Sequence, residues 1–256
     1  MGYGDEIMVA GRARVQQQTD PRKCRPTFQG VAKWTKGASV WENNPRIAQR
    51  GEAGDFQELV ARNADNMRPY HTAKTPERWT YNLAFRPDVG EIYLTDAERA
   101  FGERFRGRIV IEPTLGPGAS PNKQWPVPYW RQFILLAREA GIKLTQLAPT
   151  AAPVLAGVEY VGTETFRLAC AVLANARAYV GHEGGMHHAA AALGVPGVVI
   201  FGGFTPVELT GYPMHRNLGV SLGAACGLRV PCAHCAAEMA KIAPEQVFDE
   251  LRRLLD

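Results

Sequence analysis

Residues 177–203 constrain this chain more than any other segment. An apolar run from Arg177 to Gly181 reads as a buried strand, followed by the glycine-rich corner His182-Glu-Gly-Gly-Met-His187. A small-residue helix then runs from about Gly184 to Leu193, and after the Gly194-Val-Pro196 break Val198 to Phe201 reads as the next strand. Strand, glycine turn, helix, strand is one βαβ unit, which implies a parallel sheet with a helical crossover. The first N–H groups of that helix lack intrahelical partners and carry partial positive charge. The corner therefore suits a phosphate or diphosphate.

The alternation continues through the C-terminal half. Arg108 to Glu112 reads as a strand, Pro113 to Pro121 as a loop, Tyr129 to Ala140 as a helix, and Lys143 to Leu147 and Val158 to Val161 as short strands. Thr165 to Ala176 has helical apolar spacing, and Pro244 suits the first turn of a last helix ending near Leu255. This pattern predicts an α/β fold with a parallel sheet covered on both faces, binding at the C-terminal ends of its strands. Nearer the N-terminus, Asp5 to about Gln18 is helix-like, Glu91 to Leu94 reads as a strand, and Thr95-Asp-Ala-Glu98 is a capping box opening a helix to about Phe105. Thr19 to Arg86 is rich in Arg, Pro, Gly, Asn and Trp and predicts irregular structure with short strands. A boundary near Arg106 to Arg108 divides the chain into residues 1–106 and 107–256.

At 256 residues and 46% hydrophobic, the chain can bury one large core or two modest ones. Its net charge of +4 is spread among acids, which permits approach to an anionic substrate or a membrane surface but does not argue for nucleic acid. The N-terminal residues carry acids where a signal peptide is basic, and no apolar run approaches the roughly 20 residues that span a bilayer. A cytoplasmic protein is the expectation, with at most peripheral association at the inner face of the membrane. Five cysteines, without a secretory signal, fit reduced thiols or a metal site better than a disulfide framework.

Each candidate residue has a plainer reading beside its functional one. The corner could simply cap a helix, yet two glycines followed by two adjacent histidines, His187 and His188, favour anion recognition. Asp5 after Gly4 could be a helix cap. Lys123, between a strand and a helix in Ser120-Pro-Asn-Lys-Gln-Trp-Pro126, could be a solvated loop residue, although its placement favours an anion contact. Cys226, Cys232, His234 and Cys235 lie within ten residues and could complete a tetrahedral structural zinc site, with ordinary thiols as the alternative. Trp34, Trp41 and Trp79 could stack on sugar rings or simply pack.

Four segments together resemble glycosyltransferase family 9, the bacterial heptosyltransferases. They are Gly4-Asp5-Glu-Ile-Met8, Ile109-Val-Ile-Glu-Pro113 with Lys123-Gln-Trp-Pro126, Thr163 to Gly181, and the corner with Phe201-Gly-Gly-Phe-Thr-Pro206. The resemblance covers most of residues 106 to 210 and a short N-terminal patch. It implies a GT-B arrangement of two Rossmann-like halves, the N-terminal one reduced and on the acceptor side. It implies inverting, metal-independent transfer of a sugar from a nucleotide-diphosphate donor to an acceptor hydroxyl, with no cofactor required for catalysis. ADP-heptose becomes a candidate donor and a cell-surface glycan a candidate acceptor. Carried over by residue, Asp5 is the catalytic base, while Lys123, His182, Glu183, Gly184, Gly185, Met186 and His187 hold the donor. A sugar-nucleotide epimerase or phosphorylase, and a non-catalytic nucleotide-sugar-binding protein, remain as alternatives.

Overall fold

The predicted alternation closes into one six-stranded parallel sheet. The computed structural model describes residues 2–28, 30–34, 36–62, 67–116, 118–148 and 153–256, so Pro117 of the expected Pro113 to Pro121 loop lies outside the described residues. In chain order the elements are α1 (Tyr3–Gln16), β1 (Cys24–Phe28), β2 (Val31–Ala32), β3 (Gln57–Arg62), β4 (His71–Lys74), β5 (Trp79–Tyr81) and α2 (Asp96–Glu103). There follow β6 (Ile109–Glu112), α3 (Val127–Glu139), β7 (Leu144–Ala148), β8 (Glu159–Gly162), α4 (Phe166–Ala174), β9 (Ala178–His182) and α5 (Gly185–Ala192). The chain ends with β10 (Gly197–Gly202), α6 (Val207–Thr210), β11 (His215–Gly219), α7 (Ala233–Ala240) and α8 (Pro244–Leu255).

The large sheet has the order β11-β10-β9-β6-β7-β8. It starts in the middle at β6, grows outward through β7 and β8, then returns to the other side of β6 through β9, β10 and β11. The order reverses between β6 and β9, and such a switch point opens a crevice outside the carboxyl ends of the two strands. Gly194, at φ 73°, ends α5 in the left-handed conformation that glycine tolerates, which lets Val195-Pro196 turn back into β10.

Helices α4 and α5 cover one face of the sheet, and α3, α7 and α8 the other. The second face buries Trp125, Trp130, Phe133, Val247 and Leu251 against Ile111, Val180 and Ile200. On the first face, α1 packs on α5 and α2 packs on α4, adding a third layer from residues before 107. One apolar cluster runs across that seam, joining Ile7, Val9, Cys24 and Trp41 to Val110, Ala189, Val199 and Phe201. Trp41 is fully buried, its indole N–H donating to the Glu6 carbonyl at 2.7 Å, so its ring serves packing. The N-terminal residues also form a small sheet, β2-β1-β3, in which β1 and β3 are parallel, and the hairpin β4–β5. No helix among the described residues is long and apolar enough to cross a membrane.

Two of the segments that differ from the sequence reading are explained by their partners. Glu91 to Leu94 is not a strand: Ile92 and Leu94 alternate inward, but the backbone finds arginines instead of a ladder. Arg167 donates to the Tyr93 carbonyl at 2.7 Å, and Arg14 to the Val89 carbonyl at 3.0 Å. The other is β11, an edge strand whose sequence His215-Arg-Asn-Leu-Gly219 lacks an apolar run because it pairs on one side only.

Arg167 clamps the seam. Its side chain is buried and meets Glu98 through two bonds of 2.6 Å, and it also reaches the Ser39 carbonyl at 3.0 Å. Glu98 is itself the acid of the capping box on Thr95 that opens α2. Removing one partner of a buried pair leaves the other charge uncompensated. Arg167→Ala is expected to lower unfolding stability by about 3 kcal/mol in urea titrations, and a loss within the range of surface substitutions would show the clamp to be unimportant.

Candidate functional site

Strand β9 delivers the corner to the switch point. Its last pairs are Gly181 with Glu112 of β6 and His182 with Ile200 of β10, and the Glu183 N–H then donates to the Ile200 carbonyl at 3.0 Å. Gly184 and Gly185 are half-exposed between buried neighbours, and a side chain at Gly184 would meet nothing within 4 Å. At Gly184 the start of α5 therefore opens onto free space, and the first-turn N–H groups have no preceding helical carbonyl. Met186 is buried in the seam cluster. His187 Nδ1 accepts from the Gly184 N–H at 2.9 Å and its Nε2 meets the Thr210 carbonyl at 2.8 Å, which assigns the neutral Nε2–H tautomer. Its ring thus braces α5, with both nitrogens engaged by backbone.

Lys123 reaches the corner from the loop after β6. It ends a 3₁₀ turn, Pro121–Lys123, that is pinned when the Asn122 amide donates to the carbonyls of Leu228 (2.6 Å) and Val230 (2.7 Å). The next hold is His182, whose Nε2 accepts from the Trp125 N–H at 2.9 Å beneath the edge-on ring of Trp130. His182 therefore points away from the open corner and fixes the lysine loop. Burial, reinforced by Lys123, drops its pKa to about 3, so the ring is neutral.

The Lys123 ammonium pairs with Glu183 and lies 5.3 Å from the centre of the Phe204 ring. Burial raises the Glu183 carboxyl pKa, but Lys123, then His187 and Arg68, outweigh it and hold the group below its ordinary value. The Thr210 hydroxyl donates to Glu183 at 3.3 Å, and His188 Nε2 stands 3.9 Å away. Glu183, His187 and His188 bring ligand atoms within 4.8 Å of one another, a set that could face a cation; here the cation is Lys123.

Asp5 comes to this place on the first turn of α1. Gly4 has no side chain, and one there would collide with the His188 ring, so α1 can lie directly on α5. The Asp5 carboxylate accepts from the Gly2 N–H at 3.2 Å, Arg68 Nε at 2.9 Å and the Tyr70 hydroxyl at 2.8 Å. Arg68 also interacts electrostatically with Glu183, which places the two ion pairs in one field. Asp5 caps its helix and joins the site together. Over Gly185, the Tyr3 and Phe166 rings stack 3.9 Å apart at 5°.

Sequence reasoning missed Arg68 and Tyr70, which lie in a stretch without periodicity, and Glu112. Glu112 ends β6 at the switch point and accepts from the Tyr179 hydroxyl at 2.9 Å. Gly181 leaves the room this hydroxyl occupies. Burial pushes the Glu112 pKa up to about 8 against the Tyr179 hydrogen bond.

Of the four expected zinc ligands, three converge. Cys226 Sγ lies 3.7 Å from Cys232 Sγ and 2.9 Å from Cys235 Sγ. Cys232 caps α7 and accepts from the Cys235 N–H at 3.3 Å, while Cys226 accepts from the Leu228 N–H at 3.4 Å. His234 does not join them, because its position on α7 turns its ring toward Gly203.

A six-stranded parallel sheet with this strand order, covered by helices on both faces, is an α/β fold of the GT-B glycosyltransferase type. The profile of glycosyltransferase family 9 (heptosyltransferase) matches residues 80–242, and the chain belongs to that family. A glycosyl transferase family 9 structure from Veillonella parvula DSM 2008 superposes with a TM-score of 0.69 at 14% identity, covering 100% of this chain and 94% of that one. The ADP-heptose lps heptosyltransferase II of E. coli gives a TM-score of 0.50 at 20% identity over 65% of this chain. The matched region spans 53% of the E. coli enzyme, about half its length. No curated protein matches the chain significantly in sequence.

The buried groups give stability a pH signature. His182 and His215 have pKa values lowered by burial to about 3 and about 4, below an ordinary 6.5, so their contribution is complete above pH 6.5 and declines as pH falls. Glu112, raised from 4.5 to about 8, acts oppositely: the native carboxyl keeps its proton, and stability declines as pH rises from 4.5 to 8. Between 4.5 and 6.5 the histidines outnumber the one carboxyl, so the melting temperature should peak near pH 6.5. Glu112→Gln should flatten the alkaline limb and steepen the rise between pH 4.5 and 6.5, measured by circular dichroism melts; an unchanged alkaline limb would refute the assignment.

Proposed function

We propose that this protein transfers a sugar from a nucleotide-diphosphate donor to an acceptor hydroxyl, with inversion at the anomeric carbon. The observation that carries the reading is the open start of α5 at Gly184 beside the Lys123 ammonium. The diphosphate takes the first-turn N–H groups, and Lys123 meets it with the N–H bonds its pairing to Glu183 leaves over. The acceptor oxygen attacks the anomeric carbon, its proton passes to the Asp5 carboxylate, and the carbon–oxygen bond to phosphate breaks with its electron pair on the nucleoside diphosphate. Fixed N–H dipoles and an ammonium stabilise that growing charge without a divalent ion. The family's description as heptosyltransferase makes ADP-heptose the first donor to test, with a hydroxyl of a cell-surface glycan as acceptor. Work at the inner face of the membrane fits such an acceptor.

A second reading, a nucleotide-sugar-binding protein without turnover, is favoured by the hold of Arg68 and Tyr70 on Asp5. One experiment separates the two. Lys123→Gln, which can still donate to Glu183, should weaken ADP binding about tenfold or more by calorimetry. Asp5→Asn should bind ADP as the parent does yet release no ADP from ADP-heptose in the presence of acceptor. Turnover by Asp5→Asn would refute the base, and ADP binding without turnover by the parent protein would favour the second reading.

The three thiols support a structural metal as part of the same proposal. Sulfurs about 3.8 Å apart bridge the edge of a tetrahedron around zinc, a spacing that follows from Zn–S near 2.3 Å. The Cys226–Cys232 separation of 3.7 Å fits it, the Cys226–Cys235 separation of 2.9 Å falls short of it, and N–H groups already aim at Cys226 and Cys232. Metal analysis of the purified protein should find about one zinc per chain, with a fall in melting temperature on chelation; a metal-free sample with the same melting temperature would refute it.

A further inference from the structure

The loop that carries the thiols also holds the turn of Lys123. Cys226 Sγ stands 2.9 Å from Cys235 Sγ. That is closer than the edge of about 3.8 Å that zinc sets and within about 1 Å of a covalent sulfur–sulfur bond. Cys235 is buried, whereas Cys226 is half-buried and lines a cavity of about 210 Å³ with Trp79, Tyr81 and Pro206. A small solute therefore reaches one thiol of the pair and not the other. Cys24 and Cys170 are buried outside the cluster. The loop from Cys226 to Cys232 is tied on both sides. Trp79 N–H donates to the Gly227 carbonyl at 2.9 Å and Arg229 N–H to the Glu77 carbonyl at 2.7 Å, so residues 227–229 lie along the β4–β5 hairpin. On the other side, Asn122 donates to the Leu228 and Val230 carbonyls and accepts from the Cys232 N–H at 3.1 Å. Asn122 adjoins Lys123 in one 3₁₀ turn. The Cys226 N–H also donates to the Gly203 carbonyl at 3.0 Å, one residue before the Phe204 ring that lies beside the Lys123 ammonium. Both ends of the thiol loop are thus one residue away from a group that positions that ammonium.

We propose that Cys226 and Cys235 form a reversible oxidation site, joined as a disulfide by hydrogen peroxide, and that closing this bond loosens the hold on Lys123. The Cys226 sulfur attacks one peroxide oxygen, the O–O bond breaks, and the departing hydroxide takes the thiol proton and leaves as water. The resulting sulfenic acid meets the Cys235 sulfur at contact distance. An S–S bond forms, the S–O bond breaks, and the hydroxide leaves with the Cys235 proton as a second water. Two thiols lose two electrons and one peroxide gains them. A thiol reductant reverses the step by exchange. Disulfide sulfurs are no longer thiolate ligands, so the bond and a zinc ion are alternative occupants of the cluster. Closing the pair draws the start of the loop toward α7, against the three bonds that Asn122 makes to Leu228, Val230 and Cys232. The modification is independent of the proposed transfer; its effect on ADP rests on that reading.

The test is peptide mapping of the full chain after treatment with hydrogen peroxide, alkylation of remaining thiols and digestion with trypsin. Cleavage after Arg229 separates Cys226 from the other two thiols, so residues 217–229 should appear joined to residues 230–241. Fragmentation should place the bond at Cys235. Cys232→Ser should keep the joined peptides and Cys235→Ser should lose them; the parent protein decides the matter if a variant does not fold. ADP affinity by calorimetry should fall about threefold or more on oxidation and return with dithiothreitol. A bond confined to residues 230–241, or no bond in the parent protein, would overturn the oxidation site. A Cys226–Cys235 bond that leaves ADP affinity unchanged would overturn its link to Lys123. The mapping uses no nucleotide, so it still decides the modification when the reduced parent binds no ADP, a result that would refute the donor reading instead.

Discussion

The site is organised around one buried ion pair. A carboxylate at the end of β9 is tolerable in a low-dielectric interior only if a cation and hydrogen-bond donors meet it. Glu183 draws those partners from separate parts of the chain: Lys123 from the loop after β6 and Thr210 from α6. Satisfying one acid therefore locks the loop that follows the first strand of the sheet to the corner that follows the fourth. The pair also keeps an ammonium group beside the open start of α5, where a diphosphate would otherwise meet only backbone.

That arrangement reaches the N-terminal residues by contact. Gly4 lets α1 lie on the His188 ring, which carries Asp5 to the same end of the sheet. Arg68 then couples the second ion pair to the first through their shared field. Two helices thus begin side by side, each presenting its positive end. The Asp5 carboxylate answers one of them, and the opening at Gly184 leaves the other available.

The alternation from Ile109 to Gly202 was legible because a doubly covered parallel sheet writes strands as apolar runs and helices as periodic ones. The glycine corner and the Thr95 capping box were readable because local backbone chemistry demands those residues. What escaped was set by distant partners. Ile92 and Leu94 alternate like a strand, yet Arg14 and Arg167 satisfy the backbone around them. His182 and His187 looked like ligand donors and instead brace the loop and helix that frame the opening. Arg68 and Tyr70 carry no periodic signal, and the hydrogen bond from Tyr179 to Glu112 depends on space left by Gly181 for a tyrosine two residues away on the same strand.

The docking of residues 227–229 along the β4–β5 hairpin bears on how the molecule could breathe. Backbone bonds from Trp79 and Arg229 stitch this point, Arg167 rivets another, and an unbroken oily layer lies between them. A swing of one half away from the other would have to unzip all three at once. A bound ligand would therefore exchange through small excursions of side chains such as Lys123, with little rearrangement of the backbone.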